Sequence, residues 1–358
     1  ASGRACIFAG WSKGEGLAVE ENIEVALSAD ARFYPGMFMV ACSVAYYARR
    51  DVHLTFHLLD GGVGAEHRAD LERIVRLWHP SVSFDWLSID KKTFEGLPEW
   101  RGRGKMTWAR LLLPKLLPNS DWVVYLDTDF LCLADVAELW KKRREDVALM
   151  SSLDRWIPAY EMEGAWFSRQ GLVFDKNRYF CAGLCFFNLK RFRLQGLDEV
   201  CVRFATEHPD VCAVDQSVLN AIFSNRSDLL LISSRWQTFT RSVTKDELLS
   251  FPMLHYAGEA PWVCLHHTFV ATDLWLLWFR FYAMLRNVSM WRAMREFYTV
   301  GMIVRSRLLY LVLSRVPLMK RVLFCYFKLI GHEESIAIYK GFLHRFEMPR
   351  FSYFMKRS

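Results

Sequence analysis

The chain has no uncharged apolar run of about 18 residues, the length needed to cross a bilayer, so we expect no transmembrane helix. Its first residues have no apolar stretch followed by a cleavage site, and we therefore expect no signal peptide. Internal repeats and low-complexity segments are also missing, which argues against a solenoid. With 52% hydrophobic and 24% charged residues in 358, the composition excludes a largely disordered chain and predicts one large globular domain or two ordinary ones.

No Cys-x-x-Cys pair occurs among the nine cysteines, which are scattered from Cys6 to Cys325. Their number is odd, so the pattern favours a reducing compartment over a disulfide framework. Cys181 and Cys185 have no second Cys/His half at zinc-finger distance. We therefore predict two small buried residues at these positions and no zinc site.

Positive charge is concentrated in the last quarter of the chain. Residues 271–358 contain 15 Lys and Arg against 5 Asp and Glu, whereas the whole chain carries only +7. Four aromatic residues and a leucine there recur at helical spacing: Trp275, Trp278, Phe279, Tyr282 and Leu285. Such a mixture favours an interfacial helix on an anionic membrane surface, at the inner, cytoplasmic face. The alternative is a helical subdomain that packs its aromatic residues on the core. Nucleic-acid binding is not expected, because the segment is too aliphatic and contains no such motif.

Short apolar runs alternate with helical periodicity from residue 24 onward. This alternation predicts an α/β fold with a mostly parallel sheet, helices on both faces and ligands at the carboxyl ends of the strands. The predicted strands are Val25–Ser28, His53–Leu59, Val82–Ile89, Trp122–Leu126, Val147–Ser151, Gly183–Phe187 and Leu229–Ile232. The predicted helices are Met37–Tyr47, Glu66–Trp78, Thr107–Leu117 and Gln216–Phe223.

Two carboxylates follow the apolar strand Trp122–Leu126 directly, at Asp127 and Asp129. At the end of a buried strand they would repel each other unless a cation or water relieved the repulsion. A hard divalent ion that also binds diphosphate oxygens fits this position, since Mg²⁺ and Mn²⁺ prefer oxygen ligands. The alternative is a solvated turn, which the preceding buried strand makes less attractive.

Seven segments occur in a fixed order between residues 24 and 262. They are Ser28-Ala29-Asp30 with Phe33; Phe56–Asp60; Thr107–Leu111; Tyr125–Asp129; Tyr179–Gly183 through Asn188-Leu189; Asp215-Gln216 through Leu219-Asn220; and His255–Gly258 with Pro261-Trp262. The series resembles glycosyltransferase family 8, whose motifs include T-Y-A-R-L, Y-L-D-x-D, F-N-A-G…N-L, D-Q-D-x-L-N and H-Y-x-G-x-x-K-P-W. The resemblance implies a GT-A fold, Rossmann-like α/β, and retaining transfer from a UDP-sugar.

The same resemblance implies roles for particular residues. Metal ligands would be Asp127, Asp129 and His255, holding Mn²⁺ or Mg²⁺; an imidazole suits Mn²⁺ better. The donor nucleotide would contact Ala29, Asp30, Phe33, Arg110, Asp127 and Gly258. Gln216 and Asp215 would act at the donor sugar, and Asp154 would lie near the acceptor. Three of these residues have a plainer alternative: a satisfied buried histidine for His255, a surface charge for Arg110, and a helix N-cap for Asp215.

Two departures from the family motifs bear on activity. Cys181 replaces the family asparagine, which removes amide donors from the sugar pocket and leaves the donor sugar open. The lysine before Pro261-Trp262 is also missing, and Glu259 stands nearby. Arg32, Lys105 or Arg241 are candidates to replace its charge. A non-catalytic protein that binds a nucleotide sugar therefore remains an alternative.

We expect an N-terminal extension at 1–23, a GT-A domain at 24–267 and a basic helical C-terminal extension at 268–358. The expected reaction transfers a hexose, galactose or glucose, from a UDP-hexose to an oligosaccharide. The acceptor is expected to be lipid-linked, such as lipopolysaccharide core. Transfer to a protein acceptor, as in glycogenin, is the alternative within the same fold.

Overall fold

A computed structural model describes residues 21–99, 105–155, 157–240, 251–258, 260–263 and 272–304. The chain divides into two compact units. One is formed by Val19–Thr238 with Phe251–His255, and the other contains the described residues from Tyr256 onward. The domain boundaries at residues 23 and 267 are not tested by this division and stay predictions.

The first unit is built from alternating strands and helices. Its strands are β1 Glu21–Ala29, β2 Val52–Asp60, β3 Val82–Ser88, β4 Trp122–Leu126, β5 Phe130–Cys132, β6 Leu149–Leu153, β7 Phe180–Asn188, β8 Leu229–Ile232 and β10 Met253–His255, while β9 Thr238–Phe239 lies at its boundary. Its helices are α1 Tyr34–Tyr47, α2 Ala65–Trp78, α3 Leu113–Leu116, α4 Ala137–Trp140, α5 Ile157–Arg169, α6 Leu189–Gln195, α7 Leu197–Glu207 and α8 Asp215–Phe223.

Seven strands form the central sheet in the order β3-β2-β1-β4-β7-β6-β8. All neighbouring pairs are parallel except those of β7, which runs antiparallel to both β4 and β6. Every residue of β4 and β7 is buried, as expected for central strands covered on both faces. The predicted α/β class with a mostly parallel sheet is confirmed. All seven predicted strands are present, β4 and β8 with the predicted ends and the other five with shifted ends.

The helix predicted at Thr107–Leu117 differs from the observed structure. Residues Met106–Leu112 form a 3₁₀ helix, and only Leu113–Leu116 is α-helical. Pro114 explains the change, because a residue without an N–H fits only the first turn of an α-helix. The helix α5 and the short strands β5, β9 and β10 were not predicted.

The second unit contains α9 Thr272–Arg286 and α10 Met290–Arg295. The aromatic residues of α9 are buried: Trp278 stacks on Tyr282 with ring centroids 5.3 Å apart, and Phe279 contacts Phe297 at 5.8 Å. Tyr256 donates a hydrogen bond of 2.7 Å to the Leu274 carbonyl. The aromatic residues of α9 therefore pack against other residues of this unit, and the expected packing on the catalytic core stays a prediction.

In the described part of the chain, no helix combines the length and the apolar character required to span a bilayer. Most of the basic segment, from residue 305 to residue 358, lies outside the described residues.

Candidate active site

The two acidic residues and the histidine predicted as metal ligands meet at the end of β4. Asp127 follows this strand, and its N–H donates to the Gly183 carbonyl on β7 at 2.8 Å. Asp129 precedes β5, which pairs antiparallel with β10 and so places His255 opposite Phe130. The His255 ring stacks on Phe130, with centroids 4.2 Å apart, and its Nε2 lies 3.0 Å from Asp129 Oδ1.

These three side chains fit a divalent cation. One ligand atom from each lies within 4.8 Å of the other two. His255 is only 3% exposed, and Asp129 Oδ1 is buried without a hydrogen bond of good geometry. A Cβ atom on Gly183 would lie 2.7 Å from His255 Cε1 and 3.1 Å from Asp127 Oδ2, so the absence of a side chain there makes this approach possible. Two carboxylates and an imidazole are a suitable donor set for Mn²⁺ or Mg²⁺.

The two carboxylates differ in their electrostatics. Burial raises the pKa of Asp127 to about 6, an effect that Arg110 opposes and the Asp129 charge reinforces. Burial would also raise the pKa of Asp129, but the attraction and hydrogen bond of His255 outweigh it and lower that pKa. Negative charge is therefore held most firmly at Asp129, the carboxylate beside the histidine.

Arg110 is buried beneath the site, with 2% of its surface exposed, and is not a surface charge. Its Nη2 lies 2.7 Å from Asp127 Oδ1, its Nε lies 2.9 Å from Asp215 Oδ2, and its guanidinium covers the Tyr125 ring at 4.3 Å. Burial would lower the pKa of Arg110, but the two carboxylates raise it well above its usual value. Arg110 thus orients Asp127 while remaining charged.

Asp215 is the first residue of α8, but it does not cap that helix. The position before it is Val214, which makes no side-chain cap hydrogen bond. The Asp215 carboxylate instead accepts a hydrogen bond from the Thr107 hydroxyl and pairs with Arg110. The N-cap alternative is therefore wrong, and Asp215 joins α8 to the 3₁₀ helix that carries Arg110.

Three hydrogen bonds fix the amide of Gln216. Its Nε2 donates to Asp154 Oδ2 and to the Tyr179 hydroxyl, both at 2.9 Å. Its Oε1 accepts the N–H of Ala182 at 3.0 Å. The structure thus brings the predicted residues Gln216 and Asp154 together, next to the β7 segment that also borders the metal ligands.

The residues predicted to bind the nucleotide lie at the end of β1. Ala29 is its last residue, and Asp30 Oδ1 accepts the N–H groups of Arg32 and Phe33 at 3.0 and 3.3 Å. Two cations lie beside Asp30 Oδ2, the Arg32 guanidinium at 3.4 Å and Lys91 Nζ at 3.5 Å. Lys91 was not among the candidates for the missing positive charge.

Gly258, Lys105 and Arg241 were also predicted on the donor side. Gly258 belongs to the second unit and has φ +74°, a conformation that favours glycine. Lys105 donates to the Phe94 carbonyl at 3.1 Å. Arg241 and Glu259 lie outside the described residues.

The cysteine that departs from the family motif touches the metal site. Cys181 is buried, and its Sγ lies 4.0 Å from Nδ1 of His255. Burial raises the pKa of this thiol well above its usual value, so it stays protonated. Cys185 is also buried, which confirms the prediction of small buried residues at both positions.

Four residues of the site had no role in the sequence analysis: Thr107, Phe130, Tyr179 and Gly183. Thr107, Tyr179 and Gly183 lie inside the motif segments, and this position was the sequence signal that could have identified them. Phe130 has no such signal, because its role depends on the pairing of two three-residue strands that lie far apart in the chain.

A mostly parallel sheet with an Asp-x-Asp pair and a histidine at its edge defines a glycosyltransferase of the GT-A type. A sequence model of the family described as Glycosyl transferase family 8 matches residues 24–264. Because this match covers more than half of the chain, the chain belongs to glycosyltransferase family 8. The family resemblance found in the sequence is confirmed.

Individual relatives are distant. A glycosyltransferase-like protein of Haemophilus influenzae is 23% identical over 66% of this chain and 72% of its own length. Galacturonosyltransferase-like 3 of Arabidopsis thaliana is 26% identical over 54% of this chain, which spans only 58% of that relative. The crystal structure of galactosyltransferase LgtC with donor and acceptor sugar analogues has a TM-score of 0.59 at 23% identity, covering 76% of this chain and 100% of that one. At this identity the structural likeness shows the fold.

Proposed function

We propose that the protein is a metal-dependent retaining glycosyltransferase that moves a hexose, galactose or glucose, from a UDP-sugar to a saccharide acceptor. The supporting observation is the meeting of two groups of side chains along β7. Gly183 borders the ligands Asp127 and His255, while the adjacent Ala182 binds the amide of Gln216. A site for a diphosphate-bound cation therefore lies beside a fixed polar group suited to sugar hydroxyls.

Each group has a distinct task in this proposal. Asp127, Asp129 and His255 would hold the divalent cation, which when bound would supply Lewis-acid stabilisation of the diphosphate charge. Asp30 and Phe33 bind the uracil, with Arg32 and Lys91 nearby as sources of positive charge. Gln216 is held in advance by three hydrogen bonds, so little reorganisation is needed when charge develops at the sugar.

Retention follows in this proposal from attack on the face that the nucleotide leaves. The bond between the anomeric carbon and the diphosphate oxygen breaks, and the acceptor oxygen bonds to the same face. The acceptor's proton passes to the departing diphosphate. Asp154 and Asp215 are both engaged in hydrogen bonds or ion pairs, which favours this account over a covalent intermediate on either carboxylate.

Release of UDP from UDP-galactose and UDP-glucose tests the proposal. Turnover should need Mn²⁺ or Mg²⁺, stop with EDTA, and give a product whose anomeric proton coupling shows retention. Exposed Asp146 offers a control: Asp146→Asn should leave turnover unchanged, because this carboxylate lies outside the site. Failure of every donor and acceptor to support metal-dependent release would overturn the proposal.

That failure would favour the alternative of a non-catalytic protein that binds a nucleotide sugar. Its motivation is the replacement of the family asparagine by Cys181 together with the missing lysine. Calorimetry with UDP and Mn²⁺ then distinguishes a binding protein from a misassigned site. Attachment of sugar to the chain itself, detected by mass spectrometry, would instead indicate a protein acceptor as in glycogenin.

We further propose a lipid-linked acceptor at the cytoplasmic face of a membrane, supported by the positive charge of residues 271–358. Since the aromatic residues of α9 are used in packing, the basic residues beyond 304 carry this proposal. Full-length protein should sediment with phosphatidylserine liposomes. The triple variant Arg315→Glu, Lys320→Glu and Arg321→Glu should no longer sediment with them. Equal sedimentation of the charge-reversed chain would dispose of the membrane contact.

A further inference from the structure

A carboxyl group outside the predicted site is buried next to Gln216. Glu163 lies on α5 and is 0% exposed. Its Oε1 accepts a hydrogen bond of 2.7 Å from Ser217 Oγ. Its Oε2 is buried and has no partner of good hydrogen-bond geometry among the described residues. Such incomplete solvation disfavours the charged form, and burial raises the pKa of Glu163 to about 7.

Ser217 connects Glu163 to a strained turn. Ser217 Oγ accepts the N–H of Ala213 at 2.7 Å, so its own hydrogen is directed to Glu163. Between them lies Val214, with φ 50° and ψ −120°, a conformation that a β-branched residue adopts only when its surroundings impose it. This turn sets the direction of the first residues of α8, and Gln216 is the second of them.

Tyr179 forms a second connection between the two side chains. Its hydroxyl accepts a hydrogen bond from Gln216 Nε2 at 2.9 Å. It is also near enough to Glu163 to stabilise the ionised carboxylate. Burial, followed by the charges of Glu163 and Asp154, raises the pKa of Tyr179 well above its usual value, so the phenol keeps its proton. While Glu163 is ionised, that proton is attracted to it and the phenol oxygen faces Gln216.

We propose that Glu163 is a positioning residue for Gln216, acting through Ser217 and Tyr179, and that its ionised form holds the amide in the arrangement used for transfer. The third residue of the motif D-Q-D-x-L-N is Ser217 in this chain. A carboxyl group carried by α5 thus stands beside the position where the motif has one on α8. The consequence for activity rests on the proposed function; the consequence for the geometry of Gln216 does not.

Among the described residues, three other titratable groups interact with Glu163, and each has the same charge or none. They are Tyr179 on the segment before β7, Asp154 after β6 and Cys212 before α8. None of these three carries a positive charge. Protonation of Glu163 removes the negative charge that attracts both hydroxyls and places a hydrogen on one carboxyl oxygen, and the hold on Gln216 loosens.

The full-length variant Glu163→Gln tests the proposal, with Asp198→Asn on α7 as the matched control for the loss of a buried acid. Wild-type kcat should fall as the pH is lowered through about 7. In the Glu163→Gln variant, kcat should no longer fall as the pH is lowered through about 7. At pH 8 its kcat should be about 10-fold lower than that of the wild type, with a KM for UDP-sugar within about twofold. The proposal would be overturned if the variant kept the fall in kcat at low pH, or if its KM rose while kcat was unchanged.

An NMR measurement separates this inference from the proposed function. The side-chain amide protons of Gln216, assigned through Gln216→Glu in ¹⁵N-glutamine-labelled protein, should shift with a midpoint near pH 7. The shift should vanish in Glu163→Gln and shrink in Tyr179→Phe, but persist in Asp198→Asn. If it appears in a chain without transferase activity, only the proposed function fails. If it is missing in an active enzyme, the positioning role is refuted.

Discussion

The metal-ligand cluster and the Gln216 cluster lie side by side along β7, but they are built differently. Asp127, Asp129 and His255 bring two carboxylates and an imidazole together, and among the described residues Arg110 and the histidine offset part of the negative charge. By contrast, both ends of the Gln216 amide have hydrogen-bond partners. The metal-ligand cluster is therefore suited to bind a cation, and the Gln216 cluster is suited to fix an uncharged amide in one orientation.

Removing charge from the first cluster should have the largest effect. Asp129→Asn leaves an amide beside His255 Nε2, which is 3.0 Å from the carboxylate in the wild type. Because a neutral amide is a weaker ligand for a hard cation, Mn²⁺ affinity should fall at least about 100-fold and kcat about 1000-fold. Electron paramagnetic resonance of free Mn²⁺ measures the first quantity, and UDP release the second.

The matched change in the second cluster sharpens the comparison. Gln216→Ala removes three hydrogen bonds, one of them to the Asp154 carboxylate, but leaves every charged residue in place. Mn²⁺ affinity should therefore stay within about twofold of the wild type while kcat falls about 100-fold. If Asp129→Asn kept its Mn²⁺ affinity, or if Gln216→Ala lost it, the two clusters would not have the separate tasks assigned to them.

A smaller effect is expected where the clusters meet. Gly183→Ala places a methyl group 2.7 Å from His255 Cε1, closer than non-bonded atoms approach. The His255 ring is stacked on Phe130 and cannot move away freely, so Mn²⁺ affinity should fall about 10-fold. Gly64→Ala is the control, since the nearest atom to its Cβ is 3.9 Å away. Equal Mn²⁺ affinity in both variants would show that the close approach at Gly183 is unimportant.

The same contrast explains what the sequence could predict. Asp127 and Asp129 are separated by one residue and follow an apolar strand, so local pattern alone indicated their chemistry. His255 was assigned only through the family resemblance, because the β5–β10 pairing that delivers it joins short strands far apart in sequence. Local propensity suggested a cap for Asp215, whereas tertiary contacts with Thr107 and Arg110 decide its position.

Glu163 had no sequence signal of any kind. It lies outside the seven motif segments and on a helix that the periodicity did not predict. Its significance comes from burial and from contacts with residues some 16 and 54 positions away, Tyr179 and Ser217. Buried hydrogen-bond networks of this type depend on packing between distant elements, which no single segment of sequence encodes.

The smallest expected effect concerns stability and again distinguishes the clusters. The pKa of Glu163 is about 7 in the folded chain against a usual 4.5, so folding favours its protonated form. The free energy of unfolding should therefore be highest below the usual pKa and decline as the pH rises through about 7, by on the order of 2–3 kcal/mol from this group. Glu163→Gln should remove that part of the decline, measured by urea unfolding at pH 5 and pH 8.

Other groups also titrate in this range, so the informative quantity is the difference between wild type and variant. Asp198→Asn controls for the loss of a buried acid elsewhere. Because Glu163 belongs to the Gln216 cluster, the difference should be the same at zero and saturating Mn²⁺, whereas total stability should rise with the metal. A difference that changed with Mn²⁺ would mean that the two clusters are coupled, since the charge placed on one would then alter the proton affinity of the other.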